Sequence, residues 1–194
     1  MQPTPEGKKQ KQQQQNDASS GGTSKRRFGL LGDSNFNKIR VAEMNEFLKN
    51  AELYKYSYSG ATSVHLAHYS DILLAEELQA IIIHAGTNDI CGRNRRNASA
   101  QQIAKDIIDI GKKCVTRGVK DIFISSIIAT RNFSANNKAK DINVILKSLC
   151  TENNYYFIDN DFINVSHLEP GDQVHLSWSG RRDLIDNYIH VLNN

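Results

Sequence analysis

Three side chains far apart in this sequence could together carry out acyl transfer through a serine. A serine hydroxyl becomes a useful nucleophile when a histidine removes its proton, and a carboxylate on the other ring nitrogen holds that histidine in one tautomer. Asp172 lies only three residues before His175, so a single turn can present both side chains. We therefore predict Ser34 as the nucleophile, His175 as the base and Asp172 as the group that orients it.

The tetrahedral intermediate of such a reaction needs hydrogen-bond donors for its negatively charged oxygen. We predict three donors, namely the backbone N–H groups of Ser34 and Gly60 and the side-chain amide of Asn88. Gly60 has no side chain and therefore permits a close approach of the substrate to the backbone. One such donor is worth on the order of a hundred- to a thousandfold in rate.

Short apolar runs and segments of helical periodicity alternate along the chain and would position these groups. Strands are predicted at residues 28–31, 53–57, 80–84, 121–125 and 155–158, and helices at about 36–49, 64–78, 100–117, 135–153 and 179–192. Five such repeats predict an α/β protein with three layers, α/β/α, around a five-stranded parallel sheet. The flavodoxin-like strand order 2-1-3-4-5 is the simplest arrangement.

The polar residues singled out above all follow predicted strands. Ser34 comes after the first strand, Gly60 after the second, Asn88 after the third, and Asp172 and His175 after the fifth. Ligands of open α/β sheets bind beyond the carboxyl ends of the strands. The sequence therefore predicts that these residues meet at one edge of the sheet.

These residues lie in four short motifs that resemble, in order, the four blocks of the SGNH (GDSL) serine esterases. The motifs are Gly-Asp-Ser, a Gly after the second strand, Gly-x-Asn-Asp and Asp-x-x-His, and the resemblance covers about residues 28–192. It implies an SGNH hydrolase fold, the roles given above, and hydrolysis of carboxylic esters such as acylated sugars or lipids without a cofactor. Two positions depart from the pattern: Asn35 stands where many members have Leu, and Gly171 where many have an aromatic or small residue.

A narrower resemblance concerns the segments 84–89, 157–160 and 174–177. They are similar to the esterase-like domains in the first open reading frame of some non-LTR retroelements, in which neighbouring segments bind RNA. This resemblance implies a competing function, a binding or assembly module of a nucleic-acid-associated protein. A third class, nucleotide binders of the same architecture, lacks support because neither a Gly-x-Gly-x-x-Gly motif after the first strand nor a P-loop is present.

The N-terminal segment, residues 1–26, differs in composition from the domain predicted at 27–194. It is rich in Gln, Lys, Ser and Gly, and we predict a disordered tail because it has too little apolar surface to bury. Residues 1–27 carry six basic and two acidic side chains, so the net charge of +3 leaves the rest of the chain at −1. The tail is either a solubilising linker or an arm that contacts nucleic acid through its charge.

Composition also bounds the compartment and the chemistry. The three cysteines, Cys91, Cys114 and Cys150, show neither a disulfide framework nor metal-ligand spacing, and we predict no metal site. Neither a membrane-spanning apolar run nor a secretory signal is recognisable, so a cytoplasmic protein is expected. The oligomeric state and the natural ester are left open.

Three residues are candidates for substrate binding. Arg93 and Arg95 belong to an arginine-rich loop after Asn88 and could bind an anionic group, the alternative being a solvated loop. Trp178 could form a wall of the acyl pocket or simply pack against the last helix. A small acyl group is expected, because the sequence has no insertion long enough to form a lid.

Overall fold

The structure, a computed structural model, describes residues 25–73 and 76–194. Within them, five parallel strands form one sheet: β1 (Arg26–Gly32), β2 (Ala51–Ser57), β3 (Ala80–His84), β4 (Asp121–Ser125) and β5 (Tyr156–Ile158). The strand order is β2-β1-β3-β4-β5, which confirms the predicted topology. Almost all of the predicted tail lies outside the described residues.

Helices cover both faces of the sheet: α1 (Val41–Asn45), α2 (Ser63–Leu73), α3 (Thr87–Ile90), α4 (Ala100–Thr116), α5 (Phe133–Asn153) and α6 (Trp178–Asn193). Successive side chains of a strand point to opposite faces. On β3, Ile81 and Ile83 pack in one core with α2, α4 and α5, whereas Ala80 and Ile82 pack in a second core with α1 and α6. The predicted three-layer architecture is therefore confirmed.

Helix α4 shows how the sequence pattern produces an element. Ile103, Ile107, Ile110 and Cys114 recur at steps of three and four residues and are all fully buried. The Ser99 side chain accepts a hydrogen bond from the backbone of Gln102 and caps the first turn. One amphipathic stripe thus fastens this helix to the sheet.

The helix predicted at 36–49 is wrong. The chain instead forms a 3-10 turn at Ser34–Phe36, followed by the five-residue α1. The ammonium group of Lys55 on β2 donates hydrogen bonds to the carbonyl oxygens of Phe36 and Ile39, at 3.0 and 2.7 Å. A continuous helix would have used these carbonyls internally. The helix predicted at 64–78 begins and ends earlier, at Ser63–Leu73, and α3 was not predicted.

No helix in the described part of the chain has the length and the apolar character needed to cross a membrane.

Candidate active site

Ser34 lies immediately beyond the carboxyl end of β1. The strand ends at Gly32, where a Cβ atom would approach the Phe36 ring to 2.6 Å and the His84 carbonyl oxygen to 3.1 Å, so this position requires glycine. The buried Asp33 carboxylate then accepts a hydrogen bond from the backbone of Asn35 at 3.0 Å. This local turn presents the half-buried Ser34 hydroxyl at the sheet edge.

His175 meets Ser34 although 141 residues separate them. The distance from His175 Nε2 to Ser34 Oγ is 2.9 Å, and the distance from His175 Nδ1 to Asp172 Oδ2 is also 2.9 Å. Such a chain of contacts permits proton transfer from the hydroxyl to the ring, with the carboxylate behind the ring. The structure therefore brings together the three residues predicted as nucleophile, base and orienting group.

The loop that carries His175 and Asp172 is closed on itself and tied to the sheet. The backbone of Glu169 donates to the His175 carbonyl oxygen at 2.8 Å. Arg131, which follows β4, donates through its backbone to Gln173 O at 2.9 Å and through Nε to Asp172 O at 2.8 Å. The imidazole and its carboxylate thus come from one folded loop.

Asp172 is held in its ionised form by local donors. Partial burial alone would raise the pKa of Asp172, but hydrogen bonds from the backbones of Val174 and His175 and from the His175 ring lower it to about 2. Both backbone donors are 2.8 Å from Asp172 Oδ1. The carboxylate therefore carries its charge throughout the range in which a histidine base operates.

The lowered pKa of Asp172 predicts a pH-dependent contribution to stability. Because the pKa is about 2 in the folded protein against an ordinary value of 3.8, the ionised carboxylate stabilises the folded state above that ordinary value. This contribution is lost as the pH falls towards 2. We expect Asp172→Asn to be less stable than the wild type at neutral pH, with the difference narrowing in acid. Urea unfolding across this range measures it, and a difference independent of pH would contradict it.

The predicted oxyanion donors lie beside Ser34. Gly60 has a φ angle of +73°, a left-handed conformation that favours glycine. Asn94 Nδ2 donates to the Gly60 carbonyl oxygen at 2.8 Å and so holds this turn in place. Asn88 Nδ2 donates one hydrogen to the Ala61 carbonyl oxygen at 3.0 Å, which fixes the amide plane and leaves its second N–H for a ligand.

Ser34, Gly60, Asn88, Asp172 and His175 all line one cleft of about 760 Å³, here called the Ser34 cleft. The residues predicted as nucleophile, base, orienting group and oxyanion donors therefore border the same space.

The loop after Asn88 is fastened by a buried ion-pair network. The fully buried Asp89 accepts hydrogen bonds from the Ser63 backbone at 2.7 Å and from Arg96 at 2.9 Å. Arg96 also contacts Asp106 on α4 at 2.6 Å. Asp89 therefore fixes the loop, and Arg96 serves the scaffold rather than the substrate.

We predict that Arg96→Ala lowers the free energy of unfolding by about 3 kcal/mol, because it leaves the buried carboxylate of Asp89 without its cation. Arg95→Ala is the matched control. Its side chain is exposed one position earlier, and we expect a change within about 0.5 kcal/mol. Chemical denaturation compares the two variants, and equal losses would show that the network contributes nothing specific.

The three candidates for substrate binding have different positions. Arg93 lines the Ser34 cleft, whereas Arg95 and Trp178 do not. The Trp178 ring is 68% exposed at the start of α6, with the Arg182 guanidinium 5.6 Å from its centre. Of the two roles left open for Trp178, the structure does not place the ring in the wall of the Ser34 cleft, and the ring instead contacts Arg182 of α6. Arg95 is likewise turned to solvent by its loop.

Several cleft residues were not predicted from the sequence. Asn37 donates to the Ser59 hydroxyl at 2.7 Å across the cleft wall. Lys38 and Arg181 both contact Glu169, at 3.5 and 3.2 Å. None of these residues lies in a recognisable motif. Asn94, which also lines the cleft, belongs to the arginine-rich loop that was considered for binding an anionic group.

The three cysteines are not suited to act as nucleophiles at neutral pH. Burial raises the pKa of Cys91 to about 11 and those of Cys114 and Cys150 to about 12, so these thiols stay protonated at neutral pH. Among residues 25–73 and 76–194, no group of three or more His, Cys, Asp or Glu side chains is arranged to hold a metal ion.

The fold is that of the GDSL (SGNH) lipases and acylhydrolases, as comparison with solved structures shows. The lipase/acylhydrolase from Enterococcus faecalis superimposes with a TM-score of 0.74 at 14% identity, covering 87% of this chain and 95% of that one. A GDSL-like lipase from Bacteroides thetaiotaomicron gives 0.70 at 15% identity, covering 86% and 87%.

A catalytic mutant of an acetylxylan esterase from Geobacillus stearothermophilus gives a TM-score of 0.69 at 16% identity, covering 87% of this chain and 94% of that one. No protein family profile and no curated protein sequence matches this chain. The resemblance carried by the four motifs is thus confirmed by the fold.

Proposed function

We propose that this protein is a carboxylic ester hydrolase that works through an acyl-enzyme on Ser34. The observation that carries this proposal is the chain of two 2.9 Å contacts from Ser34 Oγ through the His175 ring to Asp172. The fold shared with lipases, acylhydrolases and an acetylxylan esterase supports ester hydrolysis as the class of reaction.

Each group has one role in the first half of the proposed reaction. Ser34 Oγ attacks the ester carbonyl carbon while its proton passes to His175 Nε2, and Asp172 stabilises the imidazolium that forms. The carbonyl oxygen becomes an oxyanion and accepts hydrogen bonds from the N–H groups of Ser34 and Gly60 and from Asn88 Nδ2. The intermediate then collapses, the C–O bond to the alcohol breaks, and the alcohol takes the proton from His175.

Water completes the second half. It attacks the acyl carbon and gives its proton to His175, the bond to Ser34 Oγ breaks, and the serine recovers its proton from the ring. The carboxylic acid leaves, and the residues return to their starting state. No cofactor is needed in this sequence of steps.

The lining of the Ser34 cleft supports a short acyl group on a polar alcohol. Among the described residues that line it, the apolar side chains are Val174 and Leu176, whereas amides, hydroxyls and charged groups form the rest. Val174 and Leu176 are therefore the apolar side chains available to pack against a fatty acyl chain, in which each buried methylene group contributes about 0.8 kcal/mol. An acylated sugar is therefore the favoured substrate over a lipid.

The test uses p-nitrophenyl esters of increasing acyl length together with a fluorophosphonate probe. We expect hydrolysis of the acetate, a lower kcat/KM for the butyrate and the lowest for the octanoate. Mass spectrometry of the probe-treated protein is expected to find the adduct on the peptide that contains Ser34. Release of nitrophenol no faster than in buffer, together with no adduct, would overturn the proposal.

The alternative function, a nucleic-acid-associated module, depends on residues 1–26, nearly all of which lie outside the described residues. It therefore stays a prediction. RNA binding measured with and without these residues at several salt concentrations would test it, because binding by a basic tail weakens steeply as salt rises.

A further inference from the structure

A cluster of unpaired polar atoms lies behind Ser34. Among the described residues, four buried side-chain atoms have no hydrogen-bond partner: Asp33 Oδ2, Asn35 Nδ2, His84 Nε2 and Thr87 Oγ1. His84 is the last residue of β3, and the other three residues follow β1 or β3 within a few positions. These strands are neighbours, with Gly32 paired to His84. Buried polar groups are costly to leave unpaired, so their concentration at one place points to a shared partner.

The other side of the His84 ring determines which nitrogen carries its proton. His84 Nδ1 is 2.9 Å from Ser125 Oγ and 3.3 Å from the Tyr188 hydroxyl, and the two hydroxyls are 2.7 Å apart. Asn160 Nδ2 donates to Ser125 Oγ at 2.9 Å, and Asn187 Nδ2 donates to Asn160 Oδ1 at 2.9 Å, which fixes the Asn160 amide orientation.

Counting donors and acceptors in this group leaves His84 Nδ1 as an acceptor. Either the Tyr188 hydroxyl donates to Ser125 Oγ and the Ser125 hydroxyl donates to Nδ1, or the Ser125 hydroxyl donates to Tyr188 and the Tyr188 hydroxyl donates to Nδ1. In both arrangements Nδ1 is unprotonated. If His84 Nδ1 carried the proton instead, one of the two hydroxyl hydrogens would have no acceptor closer than Ser126 O at 3.5 Å. The proton of the neutral ring therefore belongs on Nε2, the atom that faces the unpaired cluster.

The neighbouring carboxylate offers the matching acceptor. Asp33 is fully buried, and its Oδ1 is used by the Asn35 backbone, whereas its Oδ2 is unpaired. Burial lowers the pKa of His84, and the charge of Asp33 opposes this. A single water that accepts a hydrogen bond from His84 Nε2 and donates one to Asp33 Oδ2 would satisfy both unpaired atoms.

We propose that Asp33 and His84 form a second, buried dyad joined by one water and that this dyad positions Ser34 for its reaction with His175. Thr87 Oγ1 provides the third partner of the water. The inference rests on the proposed function for its catalytic consequence, whereas the protonation of His84 Nε2 stands on the hydrogen bonds alone.

The dyad reaches both halves of the candidate site. On one side Asp33 fixes the turn that presents Ser34. On the other, Asn35 Oδ1 accepts a hydrogen bond from the Leu176 backbone at 3.4 Å, next to His175. The Phe36 ring, in the same turn, stacks on His84 with the ring centres 5.3 Å apart. The turn is therefore held by two contacts, the stacking of Phe36 on His84 and the hydrogen bond from the loop that carries His175 to Asn35.

Two substitutions of His84 test the roles of its two ring nitrogens separately. In His84→Asn the amide reaches the position of Nδ1 and keeps the contact with Ser125 and Tyr188, but it loses the donor towards Asp33. In His84→Gln the amide reaches the position of Nε2 and restores that donor. We expect His84→Asn to lower the rate of fluorophosphonate labelling of Ser34 and kcat by about 10- to 100-fold with KM little changed, and His84→Gln to recover most of this loss.

The partner and a matched control complete the set. Asp33→Asn is expected to show a similar loss, and the double variant with His84→Asn no further loss, because both act through one contact. Ser70→Ala removes a buried hydrogen bond to Ala67 O on α2, far from the cleft, and controls for lowered stability alone. Additive losses, or equal labelling rates for His84→Asn and the wild type, would overturn the positioning role.

Nitrogen-15 NMR of the wild-type protein tests the dyad without any activity. We expect the His84 signals of a neutral ring protonated on Nε2, and protonation on Nδ1 would overturn the proposal. The wild-type protein could show the Nε2–H tautomer and yet neither react with the fluorophosphonate nor hydrolyse esters. That result would overturn the proposed function and the positioning role, whereas the assignment of the proton to His84 Nε2 would stand. Failure of His84→Asn to fold leaves Asp33→Asn and the NMR measurement to decide.

Discussion

Replacing Ser34 by alanine is expected to lower kcat for p-nitrophenyl acetate by about 10⁴- to 10⁶-fold. The variant has no hydroxyl to form the acyl-enzyme, so only the oxyanion donors and substrate binding remain. His175→Ala is expected to cost a similar factor, since the 2.9 Å contact between Nε2 and Oγ is the route that we propose for loss of the hydroxyl proton. The double variant is expected to be no slower than either single one, because the two groups act as a unit.

The control for this series is His190→Ala, which removes a histidine from the last turn of α6, outside the Ser34 cleft. It is expected to leave kcat and KM unchanged. Circular dichroism and thermal unfolding of all variants should match the wild type within a few degrees, since Ser34 and His175 are both partly exposed. Retention of more than about a tenth of the wild-type kcat by Ser34→Ala would assign the nucleophile elsewhere.

Asn88→Ala is expected to lower kcat by about 10²- to 10³-fold with a small change in KM. The Asn88 amide is held by the Ala61 carbonyl oxygen, so its second N–H is oriented before the substrate binds. A donor of this kind contributes most when the carbonyl oxygen acquires negative charge in the transition state, and for this reason the loss falls on kcat. Asn88→Asp should be slower still, because it places a carboxylate where the negative charge develops.

The matched control is Asn37→Ala in the same cleft. Asn37 donates to the Ser59 hydroxyl and belongs to the cleft wall rather than to the predicted donors. We expect less than a tenfold change in kcat for this variant. A loss for Asn88→Ala that appears in KM alone would show that Asn88 binds substrate without stabilising the oxyanion.

The sheet could be predicted from the sequence because its central strands contain continuous apolar runs, such as residues 80–83 in β3 and 122–124 in β4. Strands β3 and β4 have the predicted bounds, and both are covered by helices on two faces. The structure of segment 36–49 could not be predicted, because the Lys55 ammonium group binds backbone carbonyl oxygens that a continuous helix would use for its own hydrogen bonds. This contact with β2 outweighed the helical periodicity of the segment.

The residues that converge on the Ser34 cleft could be predicted for a similar reason. Each follows a strand, and parallel strands bring their carboxyl ends to one edge of the sheet. The supporting residues were missed, because Asn94 holds Gly60 through a contact set by the path of a loop. The same loop directs Arg93 to the cleft and Arg95 to solvent, a distinction between near neighbours that residue type does not reveal.

The placement of Asp172 and His175 on one self-closed loop has a kinetic consequence. When that loop moves as a rigid body, the His175 ring and the Asp172 carboxylate move together. The His175 tautomer is then retained, whereas the distance from His175 Nε2 to Ser34 Oγ increases. Motion of the loop would then interrupt proton transfer between Ser34 and His175 without changing the tautomer of the imidazole. Stiffness of residues 168–176, rather than the strength of the histidine–aspartate contact, would govern how often an encounter with substrate is productive.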